Sequence, residues 1–407
     1  MNRRHFLKNS ASLFALSGLS QLMPAMSWAL QSQDQYLLTF HLSGGADVSL
    51  GLEPWTAEQR PLETDYFIEY GINDLVRVGN VIYGPAMARI QNVLNDFSVI
   101  RGVFLSESDN GHPAAEAMMR TGNGSNKFPD LAIEFAAMHD EDDNFGVISS
   151  SPLSIADRIV NQYSISDLAS MSGSNGLNSG TSRGGALDRA REELIRKSGQ
   201  IAKFVQLRDK IVADTKAPSD IAAIAASFAT GVSRSASYRS NTDLDTHSEH
   251  VKNHLTKQAD LWDQFAMMVK VLKSVPTADG QTLFDKTTII AFSEFARTPA
   301  LNEAKGKDHN PLTNSVLVSG PGFKKNTAIG GSRIVNRRVS GSGMPYHVAV
   351  PVDFTTGRVA TRRDEFSMGE MITPENVMAT VADSLGLSRA MFGCARQNTK
   401  SIRGVLK

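Results

Sequence analysis

Residues 36–47 read YLLTFHLSGGAD, and this stretch decides the fold class. Its first seven residues form a continuous apolar run, which is typical of a central strand buried on both faces of a sheet. The run passes into a Gly44-Gly45 turn and then reaches Asp47. Because ligand groups gather just beyond the carboxyl ends of parallel strands, we predict that Asp47 lies at a functional edge of the sheet.

Further apolar segments extend the same pattern along the chain. Strands are predicted at residues 97–103, 287–292 and 314–318. Helices are predicted at residues 113–120, 187–214, 220–228, 260–273 and 374–387. Buried strands that alternate with helices indicate an α/β fold, in which a mostly parallel sheet is covered by helices on both faces.

The stretch from about residue 150 to residue 240 differs in character from the rest. Residues 168–185 are rich in Ser, Gly and Asn, which favours a loop with little core of its own. Segments with helical spacing flank this loop. We predict a helical insertion at 150–240, whose loop covers a site or contacts another exported protein.

Composition excludes several classes of function. Lys and Arg number 42, and Asp and Glu also number 42, so no net charge attracts the chain to nucleic acid or to an anionic membrane. The single cysteine, Cys394, excludes an intramolecular disulfide framework and a cysteine-based metal cluster. A metal site in this chain therefore has to be built from His, Asp and Glu.

The N-terminus has the features of a secretory signal. Residues 2–8 read NRRHFLK, an uncharged stretch follows, and Ser27-Trp28-Ala29 offers small residues to a signal peptidase. An ordinary basic start of a cytosolic protein is the alternative. We predict a twin-arginine signal at 1–29, recognised by the twin-arginine translocase, and a mature domain at 30–407 without a stable membrane anchor. The expected location is periplasmic or extracellular.

Acidic and histidine side chains recur where predicted strands end or helices begin. The candidates are Asp47, His112, Asp245, His247, Glu294, Asp308 and His309, with Arg297 close to Glu294 in sequence. Carboxylates and imidazoles are the ligands that zinc and other divalent metals accept when no thiolate is present.

Each candidate also has a simpler interpretation. Asp47 alone is an ordinary turn residue, and His112 before a proline alone is a helix cap. Glu294 can pair locally with Arg297, and Asp308-His309 can lie in an exposed loop. We expect Asp243, His250 and His254, which surround the Asp-Thr-His tripeptide, to be solvated.

The order of these motifs resembles the exported family called domain of unknown function 1501, within the alkaline phosphatase-like superfamily. The stretches that carry the resemblance are LLTFHLSGGAD (37–47), NGHPAAEAMMRTGNGS (110–125), DLDTHSEH (243–250), TTIIAFSEFARTPALNEAKGKDHN (287–310) and ITPENVMATVADSLGL (372–387). The family more usually has glycine where this chain has Ala296. The resemblance implies a three-layer α/β/α sandwich with a two-metal site.

The same resemblance assigns roles to the candidates. It implies that the metal ligands are Asp47, Asp245, His247, Glu294, Asp308 and His309, with zinc, calcium or magnesium as the ion. In the superfamily's phosphatases and sulfatases, a Ser, Thr or Cys nucleophile opens a helix that ends in Thr-Gly. The matching position here is His112, with Ser106 and Ser108 nearby but out of register.

Two hypotheses about function follow from this comparison of motifs. The first is an exported metal-dependent hydrolase of a phosphate or sulfate ester, with His112 facing the metals and Arg297 as an oxyanion clamp. The second is an exported protein that binds a metal or a partner and keeps the fold without the usual nucleophile.

Overall fold

An eight-stranded sheet forms the centre of the protein, in a computed structural model that describes most of the chain. The described residues are 35–56, 68, 70–108, 111–124, 127–139, 146–170, 198–336, 345–360, 370–389 and 392–407. The predicted signal at 1–29 and residues 171–185 of the predicted Ser/Gly/Asn-rich loop lie outside them.

The strands, numbered in chain order, fall into the main sheet and three small ribbons. The main sheet contains β1 (Tyr36–Leu42), β4 (Ser98–Arg101), β5 (Val147–Ser149), β6 (Gln162–Ser164), β7 (Ser235–Arg239), β8 (Thr287–Ser293), β11 (Ser315–Ser319) and β12 (Ala328–Gly330). The ribbons are β2 (Val76–Val78) with β3 (Val81–Tyr83), β9 (Ala296–Arg297) with β10 (His309–Asn310), and β13 (Ser332–Asn336) with β14 (Pro345–Ala349).

The described α-helices range from a single turn to seven turns. They are α1 (Gln91–Leu94), α2 (Gly111–Thr121), α3 (Leu131–Met138), α4 (Ile165–Ser170), α5 (Ser198–Thr215), α6 (Ser219–Ala229), α7 (His250–Ser274), α8 (Leu283–Lys286) and α9 (Pro374–Ser384). None of them combines the length and the apolar character that a membrane span requires.

The main sheet is parallel except for one strand. Its order is β12-β4-β11-β8-β1-β7-β5-β6, and β11 runs antiparallel to both of its neighbours. β1 lies between β8 and β7 and is parallel to both, so the carboxyl ends of these three strands share one edge. The predicted strand at 36–42 is thus observed with the same bounds, at the centre of the sheet.

Two hydrophobic cores cover the two faces of this sheet. Side chains alternate along a strand, so Leu38, Phe40 and Leu42 enter one core while Leu37 enters the other. The first core is completed by α5, α6 and α7, and the second by α2, α3 and α9. This arrangement of helices on both faces of a mostly parallel sheet confirms the predicted α/β/α fold class.

The stretch 150–240 contributes both helices and strands. Its helices α5 and α6 pack into the first core, and its strand β7 pairs with β1 in the middle of the sheet. Part of this stretch is therefore integral to the sheet, while the domain limits at 30 and 407 stay predictions.

The turn after β1 depends on glycine. Gly44 has φ +97°, and a Cβ atom there would lie 2.2 Å from Oδ1 of Asp243 and 2.4 Å from the backbone nitrogen of Leu244. The segment leading to Asp245 can therefore approach the end of β1 only because position 44 has no side chain.

We expect Gly44→Ala to destabilise the protein more than Gly280→Ala does. Both glycines have positive φ, but a Cβ atom at Gly280 would meet no atom within 4 Å. The shared backbone strain costs about 1–2 kcal/mol, and the steric clash at position 44 adds about 1–3 kcal/mol. Chemical denaturation of both variants measures the difference, and equal free energies of unfolding would contradict the close approach at Gly44.

Candidate metal centre

Four side chains from three segments converge at the carboxyl edge of β1, β7 and β8. They are His112 near the start of α2, Asp245 and His247 in the segment between β7 and α7, and His309 in β10. Each offers one ligand atom, and the four atoms lie within 4.8 Å of one another. We call these four residues the ligand group. In the described part of the chain, these four side chains are the set of His, Cys, Asp and Glu residues whose ligand atoms lie close enough together to hold a metal ion.

The distances within the ligand group suit a small divalent cation. Nε2 of His247 lies 3.0 Å from Nε2 of His309 and 3.1 Å from Oδ1 of Asp245, and Nε2 of His112 lies 3.3 Å from the same Oδ1. Ligand atoms in a tetrahedral zinc site with bonds of 2.0–2.1 Å are about 3.3 Å apart. Three imidazoles and one carboxylate are also a donor set that zinc accepts.

His112 is held by Glu294, with one ring nitrogen facing the ligand group. Its Nδ1 donates to Oε1 of Glu294 at 2.7 Å, while its Nε2 is buried and makes no hydrogen bond. A metal-binding histidine characteristically donates its second N–H to a carboxylate in this way. The geometry therefore leaves Nε2 of His112 facing the other members of the ligand group, at the position where the resemblance places a nucleophile.

Glu294 lies behind the ligand group and not in it. It follows β8 directly, is 1% exposed, and also accepts from the backbone N–H of Gly44 at 2.8 Å and from Nε2 of His41 at 3.2 Å. Burial raises its pKa, but the hydrogen bonds from His112 and His41 prevail and hold the pKa well below its usual range. In turn, the hydrogen bond to Glu294 raises the pKa of His112 above its usual value.

Asp308 supports His247 in the same manner. Its Oδ1 accepts from Nδ1 of His247 at 3.0 Å and from Nδ2 of Asn302 at 2.8 Å. Asn302 also donates to the carbonyl oxygen of His247 at 3.0 Å. Gly306 permits this contact, because a Cβ atom there would lie 1.9 Å from the carbonyl carbon of His247.

Arg297 is buried beneath the ligand group. Its guanidinium donates to Oδ1 of Asp245 at 2.7 Å, to the carbonyl oxygens of Gly45 and Lys307 at 3.1 and 3.0 Å, and to the carbonyl oxygen of Gly44. Although burial acts in the opposite direction, this contact lowers the pKa of Asp245. Arg297 thus positions a ligand here, and its role as an oxyanion clamp stays a prediction.

Asp47 lies outside the ligand group. It is 1% exposed and pairs with Nζ of Lys307 at 2.6 Å, while Ser49 donates to its other oxygen through N–H and O–H. The sequence did not predict the contacts of Lys307 with Asp47 or of His41 with Glu294.

The expectation that His250 and His254 are solvated is wrong. Both are completely buried, and Nε2 of His250 lies 3.3 Å from Oδ2 of Asp47. They occupy successive turns on one face of α7, followed by Gln258, which binds the backbone N–H of Asp47. This four-residue spacing is the signal that could have predicted their burial.

A comparison with family models bears out the predicted resemblance over part of the chain. The model described as protein of unknown function (DUF1501) matches residues 237–347. This segment includes Asp245, His247 and His309, together with the supporting residues Glu294 and Asp308. No curated protein matches the chain.

Solved structures with a similar chain trace are distant in sequence. The lipoteichoic acid synthase LtaP from Listeria monocytogenes is 10% identical with a TM-score of 0.40, over 92% of this chain and 76% of that one. The C-terminal periplasmic domain of EcEptC from Escherichia coli, in complex with Zn, is 10% identical with a TM-score of 0.35, over 92% of both chains. A protein in the alkaline phosphatase superfamily from Vibrio parahaemolyticus is 11% identical with a TM-score of 0.34, over 98% and 79%.

We expect Glu294→Gln to lower the affinity for zinc about 10–100-fold, because a neutral amide oxygen accepts the N–H of His112 more weakly than a carboxylate and holds the ring less firmly. Isothermal titration of the metal-free protein measures this change. Glu134→Gln is the matched control, since Glu134 is also fully buried but pairs with Arg158 at 2.8 Å. Equal zinc affinities in the two variants would show that Glu294 does not support the metal centre.

Proposed function

We propose that this protein is an exported, metal-dependent hydrolase of a phosphate or sulfate ester, with its metal held by the ligand group. The observation that carries the proposal is the convergence of four ligand atoms within 4.8 Å at the carboxyl edge of a parallel sheet. This is the edge at which α/β proteins bind their ligands. A divalent metal bound there supplies a Lewis acid for an anionic oxygen and lowers the pKa of water.

The ligand group is accessible from solvent on one side. The side chains of His247, Asp245 and His112 are 44%, 35% and 28% exposed, whereas the supporting Glu294 is 1% exposed. An ester can therefore approach the ligand group from outside while Glu294 stays shielded from water. Phe295, fully buried, packs against the rings of His112 and His309 with centroids 4.8 and 4.2 Å away and forms an apolar wall of the site.

The position of the nucleophile shapes the proposed chemistry. His112 occupies the register where the related phosphatases and sulfatases carry a hydroxyl or thiol, and its Nε2 belongs to the ligand group. We therefore propose direct attack by water, without a covalent ester on the protein. During the attack by water, Nδ1–H of His112 stays hydrogen-bonded to Glu294 and its Nε2 stays directed at the metal position.

A non-catalytic metal protein is the second candidate, and one observation favours it. Four protein ligands already satisfy the tetrahedral preference of zinc, and closed sites of this kind are typical of structural zinc. The two candidates differ in whether bound metal is accompanied by ester turnover.

Metal analysis and a panel of phosphate monoesters, phosphodiesters and sulfate esters test the proposal together. We expect purified protein to contain a divalent metal and to lose turnover of one ester class on chelation, with recovery on adding metal. His247→Ala should lose both the metal and the turnover, because it removes a ligand. His139→Ala, a histidine outside the ligand group, should retain both. Metal without turnover of any ester would favour the non-catalytic candidate.

Export is tested separately by changing the arginine pair. We expect Arg3→Lys combined with Arg4→Lys to abolish export, because the receptor of the twin-arginine pathway recognises the arginines themselves. Lys8→Arg is the control, since it keeps the pair intact. Cell fractionation reports the outcome, and normal amounts of processed double variant outside the cytoplasm would exclude this route.

A further inference from the structure

A second cluster of polar side chains lies next to the ligand group, fully enclosed by the protein. We call Asp47, His250, His254 and Lys307 the inner cluster. Nζ of Lys307 is 2.6 Å from Oδ2 of Asp47, and Nε2 of His250 is 3.3 Å from the same oxygen. The side chains of Asp47 and Lys307 are each 2% exposed, and that of His250 is completely buried.

The inner cluster has the composition of a cation site. A carboxylate beside two stacked imidazoles, with ring centroids 4.3 Å apart, is a donor set that divalent metals accept. The cation in contact with the carboxylate is an ammonium group from the same chain. Burial, followed by the charge of Lys307, lowers the pKa of His250 to about 4, and burial also lowers the pKa of His254.

Lys307 also belongs to the loop that carries the ligands. It directly precedes Asp308 and His309 in sequence, and its carbonyl oxygen accepts from Nη1 of Arg297 at 3.0 Å. Its backbone N–H donates to the carbonyl oxygen of Thr246 at 3.3 Å, between the ligands Asp245 and His247. The ion pair with Asp47 therefore ties both ligand segments to the turn that follows β1.

We propose that the ammonium of Lys307 takes the place of a metal ion on Asp47, so that the ligand group is the single metal site within the described part of the chain. Asp47 is then a positioning residue that anchors the ligand loop. A buried carboxylate needs a cationic or hydrogen-bonding partner, and Lys307 supplies one without a second metal. The inference about the number of metal ions rests on the proposed metal-dependent function. The ion pair between Asp47 and Lys307 is observed in the fold and does not depend on that function.

The test combines metal counting with thermal melting in chelator. The variants are Asp47→Asn, Lys307→Met and the double variant, because asparagine keeps an acceptor for Ser49 and methionine approximates the length of lysine. We expect about one zinc ion per chain in the wild type and in the double variant. In chelator, each single variant should melt about 4–6 °C lower, because it leaves one buried charge unpaired, and the double variant should recover most of this loss.

A control cycle uses an exposed ion pair of the same length. Nζ of Lys210 lies 2.6 Å from Oδ2 of Asp214, and their side chains are 67% and 59% exposed. Lys210→Met and Asp214→Asn should shift the melting temperature little and without coupling, because solvent screens this pair.

The outcomes separate this inference from the proposed function. Two zinc ions in the wild type and one in the double variant would overturn the inference and leave the hydrolase proposal standing. Additive melting shifts at Asp47 and Lys307 would overturn it as well. Strong coupling in a protein that binds no divalent metal would overturn the metal-dependent function while supporting the ion pair. One ion with strong coupling supports the inference, and ester turnover then decides the proposed function separately.

Discussion

The arrangement of this protein depends on one buried carboxylate, that of Glu294. An ionised group that is 1% exposed is stable only when donors surround it, because leaving water is costly for a charge. Glu294 finds them in the N–H of Gly44, the imidazoles of His41 and His112, and the hydroxyl of Ser293. These donors come from β1, the turn after it, α2 and β8, so one side chain joins the centre of the sheet to the helix that carries a ligand.

The same principle recurs on the other side of the ligand group. Asp308 stands behind His247 as Glu294 stands behind His112, and Arg297 stands behind Asp245. Each of these three ligands is thus held by a partner of opposite charge or hydrogen-bonding character, which fixes its direction before any metal binds. The supporting residues are as informative as the ligands, since they show which ring nitrogen of His112 and of His247 is available.

Much of the fold could be predicted from the sequence, because β1 and β8 are apolar enough to be recognised as central strands. All four members of the ligand group were also among the predicted residues, since they follow strands or open a helix. Sequence could not separate ligands from supports, because Glu294 and Asp308 have the same chemistry as Asp245 and differ only in where their oxygens point. Lys307 was missed because a lysine in a polar, glycine-containing loop is ordinarily solvated, and His41 because it lies within an apolar strand.

The central position of β1 has a consequence for how the chain folds. Its two neighbours in the sheet, β7 and β8, follow it by roughly 200 and 250 residues, so its backbone is paired only after most of the chain has been synthesised. Contacts between such distant residues form slowly, because the entropy cost of closing a long loop comes before the favourable energy of the contacts. Until β7 and β8 have been synthesised, the apolar strand β1 has no partner strand, and unpaired strands of this kind are prone to aggregate. The first of the described strands is thus a segment at which aggregation competes with folding until its partners have been made.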